Sequence, residues 1–224
     1  MTIEYNPFPV SFSKLSSYKS CAKKFFHLSV VKDVVEEKHD AADMGVRAHE
    51  AIEHFLREGV LIPPEFQKFE MMVKFTTRKL KGEFKYEQQL AIKRDYSPSE
   101  WTDPDCWYRG IVDLVCIHEN NTATIIDWKT GKPKEDETQL RLFSGLVFAN
   151  FPSVTEVVTQ YVWLAYNTVT TKKYSREDQL WDWVTSASED LSSEKIWGAS
   201  PSGLCKNYCP IVECEHNGKK TRIA

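Results

Sequence analysis

The chain has 224 residues, of which 29 are basic and 32 acidic, and 42% are hydrophobic. That length can bury a sizeable core, and the fraction of apolar and aromatic residues argues against a disordered chain. The net charge of −3 excludes nucleic-acid binding by bulk charge alone. No apolar stretch approaches the roughly 20 residues of a membrane span, and Met1–Val10 lacks a secretory pattern, so we expect a cytoplasmic protein.

Three helices and a strand are predicted in the first 94 residues. The apolar residues of Ser13–Leu28 follow a helical period after a serine-rich start that suits an N-cap. Asp40–Arg57 is a second helix, which Gly59 closes, and Phe66–Leu80 is a third. Tyr86–Arg94 has the composition of a strand.

The two clearest strands lie in the middle of the chain. Trp107–His118 and Thr122–Lys129 are apolar on both faces, as in strands that helices cover, and residues 119–121 join them as a short turn. The remaining elements are a helix over Thr138–Asn150, a hairpin of Val154–Tyr166 and Val169–Tyr174 about Asn167, and a helix over Arg176–Leu191. This order predicts an α/β fold in which helices flank a mixed central sheet.

Two aspartates and a lysine are predicted to share one face of that sheet. If the turn is centred on Asn120, Asp113 and Asp127 lie opposite each other, with Cβ atoms about 5 Å apart. Lys129 lies two residues further on and projects from the same face. Adjacent carboxylates on apolar strands repel each other, and Mg²⁺ or Mn²⁺ relieves that repulsion. A lone Asp-x-Lys favours a structural ion pair, but an aspartate opposite favours a metal site beside a lysine that acts on water.

Other polar residues have ordinary explanations when each is taken alone. His49 shares the inward side of its helix with Ile52, where a histidine is more often a core residue than a ligand. Glu87 suits a solvated strand edge, and Gln139 and Phe143 could simply pack together on one helix face.

Six segments, taken together in chain order, favour a functional role for these residues over the ordinary explanations. They are SFSKLSSYKSCAKKF, GVRAHEAIE with Gly-x-x-x-His, EQQL, YRGIVDLV with Gly-x-x-Asp, IIDWKTGKP with Asp-x-Lys-Thr-Gly, and QLRLF. Together they resemble the RecB-like branch of the PD-(D/E)XK nuclease superfamily. The resemblance is closest to small single-domain members with an iron–sulfur cluster, found in phages and CRISPR adaptation systems. Phe143 departs from it, since the family usually has tyrosine there.

The resemblance implies one nuclease domain over residues 1–224, with a restriction-endonuclease-like core at about 40–195. It implies a Mg²⁺ or Mn²⁺ site formed by His49, Asp113, Asp127 and the backbone carbonyl of Trp128. Lys129 would act on the attacking water and Glu87 would support the site. Gln139 and Phe143 would help place the DNA.

The cysteines are unevenly distributed, with three of the six in LCKNYCPIVEC. In a reducing compartment such thiols bind metal more often than they form disulfides. The resemblance implies a [4Fe-4S] cluster on Cys21, Cys205, Cys209 and Cys214, in a lobe where residues of about 11–32 and 200–217 meet. The alternative is structural Zn²⁺, which His27 or His216 could help to bind. Cys106 and Cys116 are typical of ordinary strand cysteines.

Two basic segments with interleaved aromatic residues are candidates for binding single strands. Ser11–Lys32 has no acidic residue, and Lys68–Arg94 has eight basic against three acidic residues. In the first segment Tyr18, Lys23 and Lys24 are the candidate DNA contacts. Each segment alone is more typical of a solvated helix face with its aromatic residues in the core.

These features predict a metal-dependent DNA exonuclease that acts on single strands or DNA ends in recombination, repair or phage DNA processing. DNA is the expected partner, with a recombination or replication protein and oligomer formation as further possibilities. The first alternative is a non-catalytic DNA-end-binding or assembly subunit that keeps the fold. The second is a zinc-stabilised interaction protein.

Overall fold

The computed structural model describes residues 5–36 and 40–219. The chain divides into two compact units, a terminal unit of Met1–Lys38 with Trp183–Ala224 and a sheet unit of His39–Asp182. That the two units together form a single nuclease domain stays a prediction.

The sheet unit contains a five-stranded sheet in the order β1-β2-β3-β4-β5. Its strands are β1 Glu83–Ile92, β2 Tyr108–Ile117, β3 Thr122–Lys129, β4 Glu156–Trp163 and β5 Thr168–Ser175. β1, β2 and β3 are antiparallel, β3 and β4 are parallel, and β4 and β5 form the hairpin predicted about Asn167. The predicted mixed sheet is therefore confirmed.

The predicted register between β2 and β3 is also confirmed. Leu114 pairs with Ile126 and Ile117 pairs with Ala123, which places the turn at Asn120. Asn121 completes this turn in the left-handed region at φ 60°. The same register, continued by one residue beyond the paired stretch, sets Asp113 opposite Asp127.

Helices cover the sheet and bury its apolar residues. In the sheet unit these are α3 Asp40–Glu58, a 3₁₀ helix Pro64–Phe69, α4 Glu70–Thr77 and α5 Thr138–Asn150. Ile52 of α3 and Val73 of α4 pack with Leu114, Ile126 and Trp128 in one core cluster. Residues of α5 join a second cluster with β4, so both faces of the sheet contribute to the interior.

The terminal unit is made of short helices that pack through aromatic rings. These are α1 Phe12–Ser20, α2 Ala22–Phe25, a π-helical turn Phe26–Val30, α6 Asp182–Ser193, which begins at the unit boundary, and a 3₁₀ turn Gly203–Lys206. Ser11 caps α1 by accepting a hydrogen bond from the Lys14 amide. Trp197 packs against the rings of Tyr18, Phe25 and Phe26.

Three predicted helices differ in the structure. The helix predicted over Ser13–Leu28 is interrupted at Cys21, which is extended at φ −165° and caps α2 with its thiol. The helix predicted over Phe66–Leu80 begins as the 3₁₀ helix and ends at Thr77. The last helix begins at Asp182 instead of Arg176, because Arg176 is bound to the carbonyls of residues 151, 152 and 154.

No helix in the described part of the chain is both long and apolar enough to span a membrane.

Candidate metal centre and active site

The site begins at an interruption in the pairing of β1 with β2. Tyr86 pairs with Leu114 and Gln88 pairs with Val112, but Glu87 and Asp113 between them do not pair. Glu87 has a left-handed backbone at φ 44°, which is costly for a residue with a side chain. Such strain persists only where the surroundings enforce it, and it clusters at functional sites. Here the strained residue and the unpaired aspartate bring two carboxylates together, midway along the edge strand β1 and its neighbour β2.

His49 of α3 lies against these carboxylates. Its Nδ1 is 3.3 Å from Oδ2 of Asp113, and ligand atoms of His49, Glu87 and Asp113 all lie within 4.8 Å of one another. In the described part of the chain this is the one such group of three possible metal ligands. Burial alone would lower the pKa of His49, but its hydrogen bond to Asp113 and the nearby negative charges raise it. The structure therefore joins His49 with Asp113, and it adds Glu87, for which only a supporting role was expected.

Asp127 and Lys129 occupy the carboxyl end of β3. Asp127 is only 3% exposed, and its Oδ2 lies 2.6 Å from Nζ of Lys129. This oxygen is buried, and the ammonium group of Lys129 balances its charge. Asp127 lies outside the group of three, although its charge acts on His49.

Burial and mutual repulsion both raise the pKa values of two carboxylates of the site. Burial and the charge of Asp113 raise the pKa of Glu87 from 4.5 to about 7. Burial and the same charge raise the pKa of Asp127, and Lys129 offsets only part of that. An imidazole and three carboxylates suit a hard divalent cation such as Mg²⁺ or Mn²⁺, whose charge offsets the repulsion between the carboxylates. The residues present therefore fit the metal that the sequence predicts.

The backbone of β3 orients Asp113. The amide of Trp128 donates a 2.7 Å hydrogen bond to Oδ2 of Asp113. The Trp128 side chain is only 2% exposed and belongs to the core. Only the backbone of Trp128 is therefore available to a ligand.

Lys129 has three partners that hold its ammonium group in place. Besides Asp127, its Nζ donates a 2.9 Å hydrogen bond to Oε1 of Gln139 and lies 5.1 Å from the ring centre of Tyr161. Gln139, the candidate DNA contact, here positions the lysine from the first turn of α5. Tyr161 was not singled out in the sequence. It pairs with Asp127 across the parallel strands β3 and β4, so only the pairing of those strands could have revealed it.

Arg57 was also missed, and it secures the strained strand segment. Its Nη2 donates a 3.2 Å hydrogen bond to the carbonyl of Tyr86, its Nη1 lies 2.8 Å from Oε1 of Glu53, and its guanidinium lies over the Tyr86 ring. The residue that Arg57 holds precedes Glu87. An arginine four positions after Glu53 on a helix is typical of a surface ion pair, so this contact could not be predicted from the local pattern.

A cavity of about 500 Å³ adjoins the site. His49 and Glu87 line it together with Gly45, Val46 and Glu53, among others. Its wall therefore contains two of the three grouped ligands.

Phe143, the other α5 candidate, is buried and only 2% exposed. Its ring would lie 3.1 Å from a Cβ added at Gly110, so it packs against β2. It offers neither a phenol nor an exposed ring to a substrate.

The candidate DNA contacts of α1 and α2 have partners within the terminal unit. Tyr18 is 7% exposed and donates a hydrogen bond to Glu194, so its ring is a core element and offers no stacking face. Lys23 and Lys24 form ion pairs with Glu215 and Glu36. These contacts favour a structural role for all three residues.

The four candidate cluster cysteines all lie in the terminal unit. Sγ of Cys21 accepts from the amides of Lys24 and Ser200, and Sγ of Cys205 accepts from the amide of Ser202. No three sulfurs of the described cysteines lie within 4.8 Å of one another, whereas tetrahedral zinc with bonds of about 2.3 Å would bring them to about 3.8 Å. The arrangement is therefore not that of a compact zinc site. Amide hydrogen bonds to sulfur are compatible with cluster ligands, which bind different iron atoms.

Comparison with models of protein families gives a match that spans most of the chain. A family model described as the PD-(D/E)XK nuclease superfamily matches residues 9–214. No curated protein matches the chain.

Two solved structures are similar at low identity. A crystal structure of SSO0001 is 13% identical, with a TM-score of 0.47, over 92% of this chain and 85% of the other. A protein from Eubacterium rectale, named a "putative exonuclease", is 10% identical, with a TM-score of 0.48, over 85% of this chain and 79% of the other. Likenesses of this size carry no information about shared function.

Proposed function

The chain belongs to the PD-(D/E)XK nuclease superfamily, and from this premise we propose that it is a metal-dependent DNA exonuclease acting on single strands or DNA ends. The single observation that carries the proposal is the convergence of His49, Glu87 and Asp113 within 4.8 Å, beside a lysine that is held in place. A binding module has little use for that combination, because repelling carboxylates destabilise a fold unless a cation joins them.

The metal would be Mg²⁺ or Mn²⁺, held by His49, Asp113 and Asp127 with the carbonyl of Trp128. When bound, it supplies charge neutralisation for the scissile phosphate and lowers the pKa of water. Glu87 lies close enough to act as a further ligand, directly or through water. The Trp128 amide keeps Asp113 turned toward His49.

Lys129 orients the attacking water. Its ammonium is held between Asp127 and Gln139, so its direction is fixed before substrate arrives. Such fixed positive charge also stabilises the negative charge that develops on the phosphate. In this proposal Gln139 acts on the substrate through Lys129.

The choice of DNA rests on the superfamily, because carboxylates and a lysine would serve RNA equally. The proposal also includes a role in recombination, repair or phage DNA processing, with a recombination or replication protein as partner. The RecB-like branch and its small phage and CRISPR-associated members supply that context.

The proposal includes a [4Fe-4S] cluster on Cys21, Cys205, Cys209 and Cys214. Support comes from their presence in one unit and from the amide hydrogen bonds that Cys21 and Cys205 accept. The role would be structural, joining the two ends of the chain.

The test is cleavage by anaerobically purified protein of single-stranded DNA, duplex DNA and RNA, each labelled at the 5′ or the 3′ end. We expect release of end label from DNA with Mg²⁺ or Mn²⁺ and none with EDTA. Lys129→Ala should abolish release, while Lys173→Ala, which removes a lysine paired with Glu156 on the same sheet, should not. An intact, metal-loaded protein that cleaves nothing would contradict the proposal and favour a non-catalytic DNA-end-binding or assembly subunit.

A further inference from the structure

The outward face of α4 carries an unusual combination of side chains. Met71, Lys74, Phe75 and Arg78 follow the i, i+3, i+4, i+7 spacing of one helix face, and all are exposed. Met71 is 64% exposed and Phe75 is 55% exposed. The opposite face, with Met72 and Val73, is buried in the core. The fold therefore does not need the exposed apolar side chains.

These residues line a groove of about 470 Å³. The guanidinium of Arg78 lies 5.0 Å from the centre of the Phe75 ring, which keeps the ring and the cation together. Lys74 is paired with Glu70, so its charge is already balanced.

The groove lies in a region of positive charge. Arg78, Lys79 and Lys81 are exposed and have no acidic partner among the described residues. Cations at the carboxyl end of a helix are favourable for the helix itself, so charge alone would prove nothing. An exposed aromatic ring beside those cations has no such explanation.

We propose that the groove lined by Met71, Phe75 and Arg78, with the adjoining lysines Lys79 and Lys81 of the next chain segment, is an accessory binding site for single-stranded nucleic acid. A base would stack on Phe75 while Arg78 and the two lysines bind phosphates. Single strands combine exposed π-faces with regular negative charge, which is what an aromatic ring among cations complements. The choice of nucleic acid rests on the proposed function, but the site is separate from the His49 group.

The experiment measures binding of a fluorescent 30-nucleotide strand in EDTA, where cleavage does not interfere. Phe75→Ala should weaken binding by about fivefold or more, the loss of one stacked base, while Phe75→Trp should retain it. Arg78→Gln should lower the slope of log Kd against log salt by about 0.7, the loss of one phosphate contact on a single strand. Tyr166→Ala and Lys195→Gln, which remove an exposed ring and an exposed cation elsewhere, should change neither quantity.

Each outcome decides the inference. Single-strand affinity within twofold of wild type in both Phe75→Ala and Arg78→Gln would overturn it, and a protein partner would then be the better occupant. An equal loss of duplex binding in Phe75→Ala would also overturn it, because a paired base cannot stack on the ring. Binding that depends on Phe75 in a protein that cleaves nothing would keep this site and refute the proposed function. Cleavage by a protein whose single-strand binding does not depend on Phe75 would refute this site and keep the proposed function.

Discussion

Replacing Glu87 by glutamine should stabilise the metal-free protein and weaken its response to metal. The pKa of Glu87 is raised from 4.5 to about 7 by burial and by Asp113. Its charged form is therefore disfavoured in the fold. Below pH 4.5 the carboxyl is protonated in both folded and unfolded states, and stability is unaffected. Between pH 4.5 and 7 only the unfolded chain ionises, so the wild type loses stability as pH rises, and the loss is complete above pH 7.

A shift of this size corresponds to at most about 3.4 kcal/mol at 1.36 kcal/mol per pKa unit. Solvent reaches a carboxylate that is not fully buried, so we expect about 2 kcal/mol. For a chain of this length, that is a rise in Tm of about 4–8 °C at pH 8 and close to none at pH 5. Glu119→Gln, in the exposed turn between β2 and β3, should change Tm at neither pH.

Manganese should narrow the difference in stability between the two proteins. Metal at about 100 times its Kd stabilises the wild type by about 2.7 kcal/mol, whereas the variant has lost a nearby carboxylate and gains less. The assay is thermal unfolding at pH 5 and pH 8, with EDTA and with Mn²⁺. A metal-free Glu87→Gln protein that is less stable than wild type at pH 8 would refute the reasoning, because burial and repulsion would not then disfavour the charged form of Glu87.

Two further changes test the supports of the site and the cysteines. Arg57→Ala should weaken Mn²⁺ binding by roughly tenfold, since Arg57 holds the carbonyl before Glu87, while Arg47→Ala, which removes a similar ion pair and ring contact on α3, should leave it unchanged. If a calorimetric titration gave the same Mn²⁺ affinity for Arg57→Ala and the wild type, a positioning role for Arg57 would be excluded. Cys205→Ser should lose protein-bound iron and its visible absorbance, while Cys106→Ser, which changes a buried cysteine just before β2, should keep both. Iron retained by Cys205→Ser would show that this thiol is not a ligand.

The sequence predicts well those features that depend on neighbouring residues. The bounds of β3 and α5 are confirmed because each coincides with an uninterrupted apolar pattern between clear breaks. The opposition of Asp113 and Asp127 follows from the position of one turn, and the register of β2 with β3 confirms it. That Asp113 and Asp127 suit a metal could be predicted from their spacing and chemistry alone.

The features that depend on distant residues could not be predicted. The extended Cys21 interrupts a good helical pattern because its sulfur accepts hydrogen bonds from the amides of Lys24 and of Ser200, which lies far along the chain. The left-handed Glu87 is held by Arg57 through the Tyr86 carbonyl, a contact across 29 residues. Tyr161 reaches Lys129 only because β4 pairs with β3. Local periodicity carries no information about such contacts.

The most direct test of the account measures metal binding and cleavage in the same three proteins. Mn²⁺ binding, followed by electron paramagnetic resonance, is compared with cleavage of an end-labelled single strand in wild type, Asp113→Asn and Lys129→Ala. We predict that Asp113→Asn loses both, while Lys129→Ala binds Mn²⁺ as the wild type does and cleaves nothing. Normal cleavage by Lys129→Ala, or normal Mn²⁺ binding by Asp113→Asn, would contradict the site assigned here.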